Sequence, residues 1–297
     1  MNVLGTISIP FDPYIIGIGP FLFSWHGFFT VVGVAVAVFL VHKWGTKQGM
    51  NADGIMSVVV WCIVGGIVGA RILHVVDFWN SGGVCGQAFS GYGNCPLTIL
   101  MVWKGGIAIL GAVLGGFTGG ATYIMVRNSD WFLNMWGKYF AFFGKAEKAP
   151  LPEIGIFADL VAPALLLGMA IGRIGDIING EHFAKFTTLP WGVIYSHGDS
   201  PGLGRPASHP AVGYELIFDL LIIGVLWMMK DRLRPHGMTF ALAVSLYAIG
   251  RFFISFLRVE ANTYFGLNEA QIVCLAILLV TIPLLVYKAN WGRSTEI

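Results

Sequence analysis

Apolar residues gather into seven runs separated by short polar segments, near residues 21–42, 54–76, 97–126, 155–178, 211–229, 238–257 and 270–288. An α-helix needs about 20 such residues to cross the hydrocarbon of a bilayer, and each run is close to that length or longer. None alternates apolar and polar positions as a barrel strand would. Backbone polar groups in lipid must be satisfied within their own segment, so the runs read as helices. The pattern predicts an all-α polytopic membrane protein of about seven transmembrane helices, a single membrane domain over residues 1–297. Gly65 and Gly69, Gly111 and Gly115, and Gly116 and Gly120 put small residues four apart on the second and third runs. Such faces let helices approach closely in lipid, where no hydrophobic drive holds them together. The stretch 128–153 is a loop with room for a short interfacial helix.

Composition agrees with that class. Of 297 residues 56% are hydrophobic and 11% charged, against roughly 25% charged in soluble domains. The net charge of +2 says little, but the placement of the cations says more. Lys43, Lys47, Arg127, Lys138, Lys145, Lys148, Lys230, Arg232, Arg234, Lys288 and Arg293 all fall on one side of the predicted membrane. That side is expected to be the cytoplasm, with the N-terminus outside and the C-terminus inside. No Lys or Arg precedes Lys43, so the charged start of a cleavable signal peptide is missing. Residues 1–20, with Pro10, Pro13 and Pro20 among them, are expected along the outer interface.

Cys62 and Cys274 fall inside runs and read as small apolar fillers. Cys85 and Cys95 share an outer loop, 77–96, that holds no Lys or Arg. A disulfide persists outside the cytoplasm, so these two are expected to pair. No Cys or His spacing suits a metal.

Seven cations remain, namely Arg71, Lys104, Arg173, Lys185, Arg205, Arg251 and Arg258, and the topology puts all of them in the outer half or outer loops. Lys104, Lys185 and Arg258 are expected to snorkel to the interface and pair with nearby acids. Arg173 and Arg251 lie too deep for that. Arg173 is followed by Asp176, Asn179 and Glu181, while Tyr247, Arg251 and Ser255 stand four apart on the sixth run. Glu215 enters from the start of the fifth run, and His26 opens the first. An Arg within a span costs a few kcal/mol unless it faces a cavity or a partner. Guanidinium groups converging at headgroup depth suit a phosphate, which they grip bidentately. The residues therefore point to a site for an anionic lipid headgroup opening to the outer leaflet.

The segment GRIGDIINGE (172–181) resembles the signature of the prolipoprotein diacylglyceryl transferase family, usually written GRxGNFxNGE. The pieces around it keep the family's order: FSWHG (23–27), GAR (69–71), WKGG (103–106), DLVAPALLLG (159–168), LPWGV (189–193), HPAVGYE (209–215), RFFISFLR (251–258) and GLNEAQ (266–271). The resemblance covers nearly the whole chain. It implies transfer of the diacylglyceryl group of phosphatidylglycerol to the lipobox cysteine of a prolipoprotein signal peptide, at the outer face of the bacterial cytoplasmic membrane. It implies phosphatidylglycerol, prolipoprotein and membrane lipids as partners, no nucleic acid, and neither metal nor organic cofactor. Arg173 and Arg251 match the family's functional arginines and would hold the phosphate and leaving group. Arg71, Asn179, Glu181, Glu215 and Tyr247 match as well, and would position the lipid and the arginines.

Four positions depart from the family pattern. Leu110 stands where the family has its favoured general-base His, His26 replaces a Tyr, Asp176 replaces an Asn, and Ser255 replaces a Glu. In a compensated site His26 takes the thiol proton and Asp176 restores an acid beside the arginines. In a bland one His26 is an interfacial hydrogen-bonding residue and Asp176 merely pairs with Arg173. Three readings compete: an active divergent transferase, a member with lost or altered transfer that binds an anionic lipid headgroup, and an anion or lipid transporter. The transporter reading lacks an inverted repeat and paired broken helices, and the retained arginines with the NGE segment favour the transferase.

Overall fold

The computed structural model describes residues 5–18, 21–80, 82–85, 88–102, 106, 108–229, 232–259, 262–264 and 266–292. Lys104, Lys230 and Arg293 lie outside them, as does the side chain of Cys85. Among the described residues eight α-helices follow one another: α1 (Trp25–Lys47), α2 (Ala52–Asp77), α3 (Ile109–Arg127), α4 (Asp130–Tyr139), α5 (Ile154–Asn179), α6 (Ala211–Met228), α7 (Met238–Ser255) and α8 (Glu269–Lys288). All but α4 are long and apolar enough to span a bilayer, so the described residues carry seven candidate spans. Their outward faces are apolar, with Leu279 78% and Val286 69% exposed, as lipid-facing residues should be. The chain is an all-α polytopic membrane protein.

The chain divides into two compact units, His42–Ile154 and Met1–Val41 with Gly155–Ile297. In the first, α2 and α3 meet glycine to glycine. A Cβ on Gly65 or Gly69 would strike the carbonyl of Gly115 or Gly111, and one on Gly115 would lie 2.8 Å from Gly69 Cα. The small-residue faces expected from spacing are the packing surface. Gly115→Val should therefore lower stability by about 1–3 kcal/mol through overpacking. A melting temperature in detergent equal to that of the wild type would refute it. The helix α4 follows, capped by Ser129 accepting from Phe132 N–H at 3.2 Å, where an interfacial helix was expected. Strands β4 (Gly83–Cys85) and β5 (Ala88–Ser90) form a short hairpin ahead of a 3-10 turn, Pro96–Leu100. Cys62 is a free thiol and Cys95 is disulfide-bonded. Its expected pairing with Cys85 falls on a side chain outside the described residues.

The third run is not one helix from 97. The helix α3 starts at Ile109, and Gly106 has a φ of +77° that a helix does not tolerate. The physical cause is Arg71, which donates to the carbonyls of Ile99 (2.8 Å), Gly106 (2.9 Å) and Thr98. Carbonyls satisfied by a guanidinium need no α-helical partner, so Thr98, Ile99 and Gly106 stay out of α3.

In the other unit, β1 (Ile7–Ile9) pairs in parallel with β6 (Val193–Tyr195), and β2 (Tyr14–Ile18) pairs with β3 (Phe21–Ser24). The first run therefore starts as a strand, and α1 begins only at Trp25, where Ser24 Oγ accepts from Gly27 N–H at 3.1 Å as an N-cap does. Strands β7 (Asn262–Tyr264) and β8 (Leu267–Asn268) lead into α8, which opens with a capping box between Asn268 and Gln271. Gln271 also donates to Phe252 O at 3.3 Å, tying α8 to α7. Two backbone N–H groups at the start of α7, Gly237 and Phe240, bond Asp159 of α5 at 2.8 and 2.9 Å. An apolar core of Ala162, Leu166, Ile222, Leu226, Leu242 and Leu285 joins α5 to α8.

Candidate functional site

The signature segment closes α5. Its last helical residue, Asn179, is buried, and Gly180 leaves the helix at φ +73°. A side chain there would also collide with Tyr195 and Ser200, so only glycine serves at this helix end. Glycine also sets the distance to α1. A Cβ on Gly175 would lie 2.7 Å from Trp25 O and 2.8 Å from His26 Cα, and one on Gly168 would lie 2.8 Å from Gly33 O. The two contacts are seven residues apart on each helix, running in opposite directions, which brings His26 beside Asp176.

Glu215, one turn into α6 and 3% exposed, is the hub. Arg173 of α5 reaches its Oε2 at 2.7 Å. Arg251 of α7 donates to Oε1, and Arg258 donates to the same oxygen at 3.1 Å. The three arginine side chains are only 10–12% exposed. Arg173 also donates from NH1 to Asp176 Oδ2 at 2.9 Å, so its fork is held between two carboxylates. Three buried cations thus face two buried carboxylates. Such a cluster has far more N–H donors than its acids have lone pairs, and it can take an anion with two or more oxygens.

Asp176 serves a second group. Its Oδ1 is hydrogen-bonded to His26 Nδ1 and lies 3.6 Å from His182 Nε2. The other nitrogen of His182 is 3.1 Å from Arg258 NH2, so His182 bridges the acid and the third arginine. Glu181 is at the rim, 43% exposed, with Oε1 3.9 Å from His26 Nδ1. Tyr195 donates to Ile177 O at 3.0 Å. Burial, with the Asp176 carboxylate adding, pushes its phenol up to about 12, so it remains a donor at neutral pH.

Sequence reasoning placed His26, Arg173, Asp176, Glu181, Glu215 and Arg251 near one another, and the structure brings these together. Tyr247 and Ser255 sit one turn on either side of Arg251, with their buried hydroxyls unbonded among the described residues. So does Asp219 Oδ2, one turn beyond Glu215. Arg71 belongs to the other unit, where it holds the carbonyls of Thr98, Ile99 and Gly106 and lies 5.5 Å from the Tyr92 ring. Arg258 pairs with an acid as expected, and that acid is Glu215: the backbone beyond α7 bridges Ala184 and turns the arginine onto it, so that it joins the cluster. Lys185 N–H to Leu257 O at 2.8 Å and Val259 N–H to Phe183 O at 3.1 Å fix that return. His182, next to the signature, was missed.

Two triads among the described residues have donor atoms within 4.8 Å of each other: His26, Asp176 and Glu181, and the exposed Asp12, His197 and Asp199. In the first, Arg173 already occupies Asp176 and opposes a dication by its charge.

A family model for prolipoprotein diacylglyceryl transferase matches residues 13–141 and 139–287. A phosphatidylglycerol–prolipoprotein diacylglyceryl transferase of Dehalococcoides mccartyi is 30% identical over 97% of this chain and 98% of its own. One from Streptomyces coelicolor, with the same name and the number 2, is 32% identical over 95% of this chain and 81% of its own. Another, from Trichormus variabilis, is 31% identical over 89% and 84%.

Proposed function

The chain belongs to the prolipoprotein diacylglyceryl transferase family, and from that membership we propose that it moves the diacylglyceryl group of phosphatidylglycerol to a lipobox cysteine thiol. The observation that carries this reading is the gathering of Arg173, Arg251 and Arg258 on Glu215, with the arginine side chains only 10–12% exposed. A phosphodiester leaving group develops charge on its oxygens as the carbon–oxygen bond breaks. Donors fixed in advance at that position stabilise the developing charge most in a water-poor site.

Arg173 and Arg251 bind the phosphate, with Arg258 as the third member of the clamp. Glu215 holds the three against their mutual repulsion. Asn179 and Glu181 stand at the end of α5, and Tyr247 precedes Arg251 by one turn on α7. Neither metal nor organic cofactor takes part. The chain crosses the bacterial cytoplasmic membrane with its N-terminus outside, its C-terminus inside and the arginine pocket facing outward. The one-sided cations support that orientation. A cysteine introduced near Gly202 should then react with an impermeant thiol reagent in intact cells, while one at the exposed position 232, in the 231–236 loop, should be shielded. The reverse labelling would overturn the orientation.

The reaction is tested with purified protein, phosphatidylglycerol and a lipobox peptide. The expected result is a diacylglyceryl mass increase on the peptide cysteine. Absence of product with headgroup binding intact would favour the alternative, a member that binds the lipid without transferring it.

A further inference from the structure

We propose that His26 and Asp176 form a histidine–carboxylate dyad in which His26 is the catalytic base for the substrate thiol and Asp176 its positioning residue. The inference rests on the transfer reaction proposed above. That reaction needs a proton acceptor, because the thiolate and not the thiol is the nucleophile, and Leu110 cannot accept a proton.

The geometry assigns the role. Asp176 takes the Arg173 guanidinium on Oδ2 at 2.9 Å and is hydrogen-bonded to His26 Nδ1 through Oδ1. A carboxylate paired with a guanidinium is an acceptor, so the shared proton belongs on Nδ1 and the ring's lone pair is at Nε2. The carboxylate side chain is 5% exposed and the imidazole 39%, so the orienting half is buried and the reactive half open. The same Arg173 contacts Glu215 at 2.7 Å, which places the base and the leaving-group clamp on opposite sides of one side chain.

The close approach is built into the backbone. Gly175, the residue before Asp176, packs on Trp25 O and His26 Cα. The two departures from the family pattern at 26 and 176 are therefore in contact, and they supply an acid and a base together. Other charged or titratable groups facing the pair are Glu181, 3.9 Å from Nδ1, His182, 3.6 Å from Asp176 Oδ1, and Arg173 itself.

In the step, His26 Nε2 takes the proton of the peptide thiol. The sulfur electron pair forms the bond to the glyceryl carbon as that carbon's bond to the phosphate oxygen breaks. The bonding pair leaves on glycerol phosphate, held by the arginines. The imidazolium then returns its proton to water. No oxidant or reductant is needed.

The test is the transfer assay with wild type, His26→Ala and His26→Tyr across about pH 5–9, a window that brackets an ordinary imidazole. His26→Tyr carries the family's own residue and guards against misfolding. Both variants should lose about 10²–10⁴-fold in turnover while phosphatidylglycerol still raises their melting temperature. Wild-type turnover should fall as the pH drops below the imidazole range, because a protonated base accepts nothing, and this acid limb should vanish in both variants. Added imidazole should restore turnover to His26→Ala but not to Asp176→Asn. The two losses should also fail to multiply in the double variant. Equal rates for His26→Ala and wild type overturn the dyad, as does a loss that neither pH nor imidazole modulates. A wild type that makes no thioether at any pH overturns the reaction itself, and the dyad with it.

Discussion

Glu215→Gln is expected to abolish transfer and to lower the stability of the protein by about 3–5 kcal/mol, the usual consequence of breaking a buried ion pair by removing one side. The substitution keeps the shape of the side chain and removes only its charge. Arg173 and Arg251 then share a pocket with Arg258 and no carboxylate between them, since Asp176 reaches only Arg173. Repulsion among buried guanidinium groups is screened weakly by salt, so high ionic strength should not rescue the variant. A phosphate should. Phosphatidylglycerol brings back the missing negative charge, and is therefore expected to raise the melting temperature of Glu215→Gln more than that of wild type. Thermal unfolding in detergent, with and without the lipid, measures both effects. A variant with wild-type melting and turnover would show that Glu215 is not the hub.

The seven spans were legible because a lipid-exposed helix is apolar all round, a signal that local sequence carries without help from tertiary structure. The ends of the first and third runs were not legible, for a related reason. Residues 21–24 and 97–102 are as apolar as the helices they adjoin, and partners elsewhere in the chain keep them out of the helix, β2 pairing with Phe21–Ser24 in the first case. Ser24 caps α1, while Arg71 takes the carbonyls of Thr98, Ile99 and Gly106. Site residues separated in the same way. Arg173 and Arg251 stood out because a charge inside a span demands an explanation. Arg258 lies three residues past the end of α7, where a charge demands none, and only its bridge to Ala184 turns it inward. That one acid, Glu215, collects all three arginines is a fact about where α5, α6 and α7 meet. No spacing within one helix reports it.

Arg251→Lys is expected to leave less than about 1% of wild-type turnover, in keeping with the roughly 10²–10³-fold loss that follows removal of one donor from a charge-stabilising site. Lysine keeps the positive charge, so a purely Coulombic role would survive the exchange. A shaped role would not. Arginine presents a rigid planar fork that bonds two oxygens at once, whereas an ammonium is a compact, strongly hydrated point charge. Arg251 also donates to Glu215 Oε1, an oxygen it shares with Arg258 at 3.1 Å. A lysine that turned to Glu215 would have no second planar edge to offer a phosphate. The loss should therefore appear mainly in kcat, because the interaction strengthens as charge builds on the leaving oxygen. The Michaelis constant for phosphatidylglycerol should change less, since Arg173 and Arg258 still hold the ground-state headgroup. Steady-state kinetics on Arg251→Lys and Arg251→Ala separate the alternatives. If lysine restores full turnover where alanine does not, charge alone suffices at this position and the bidentate clamp is wrong.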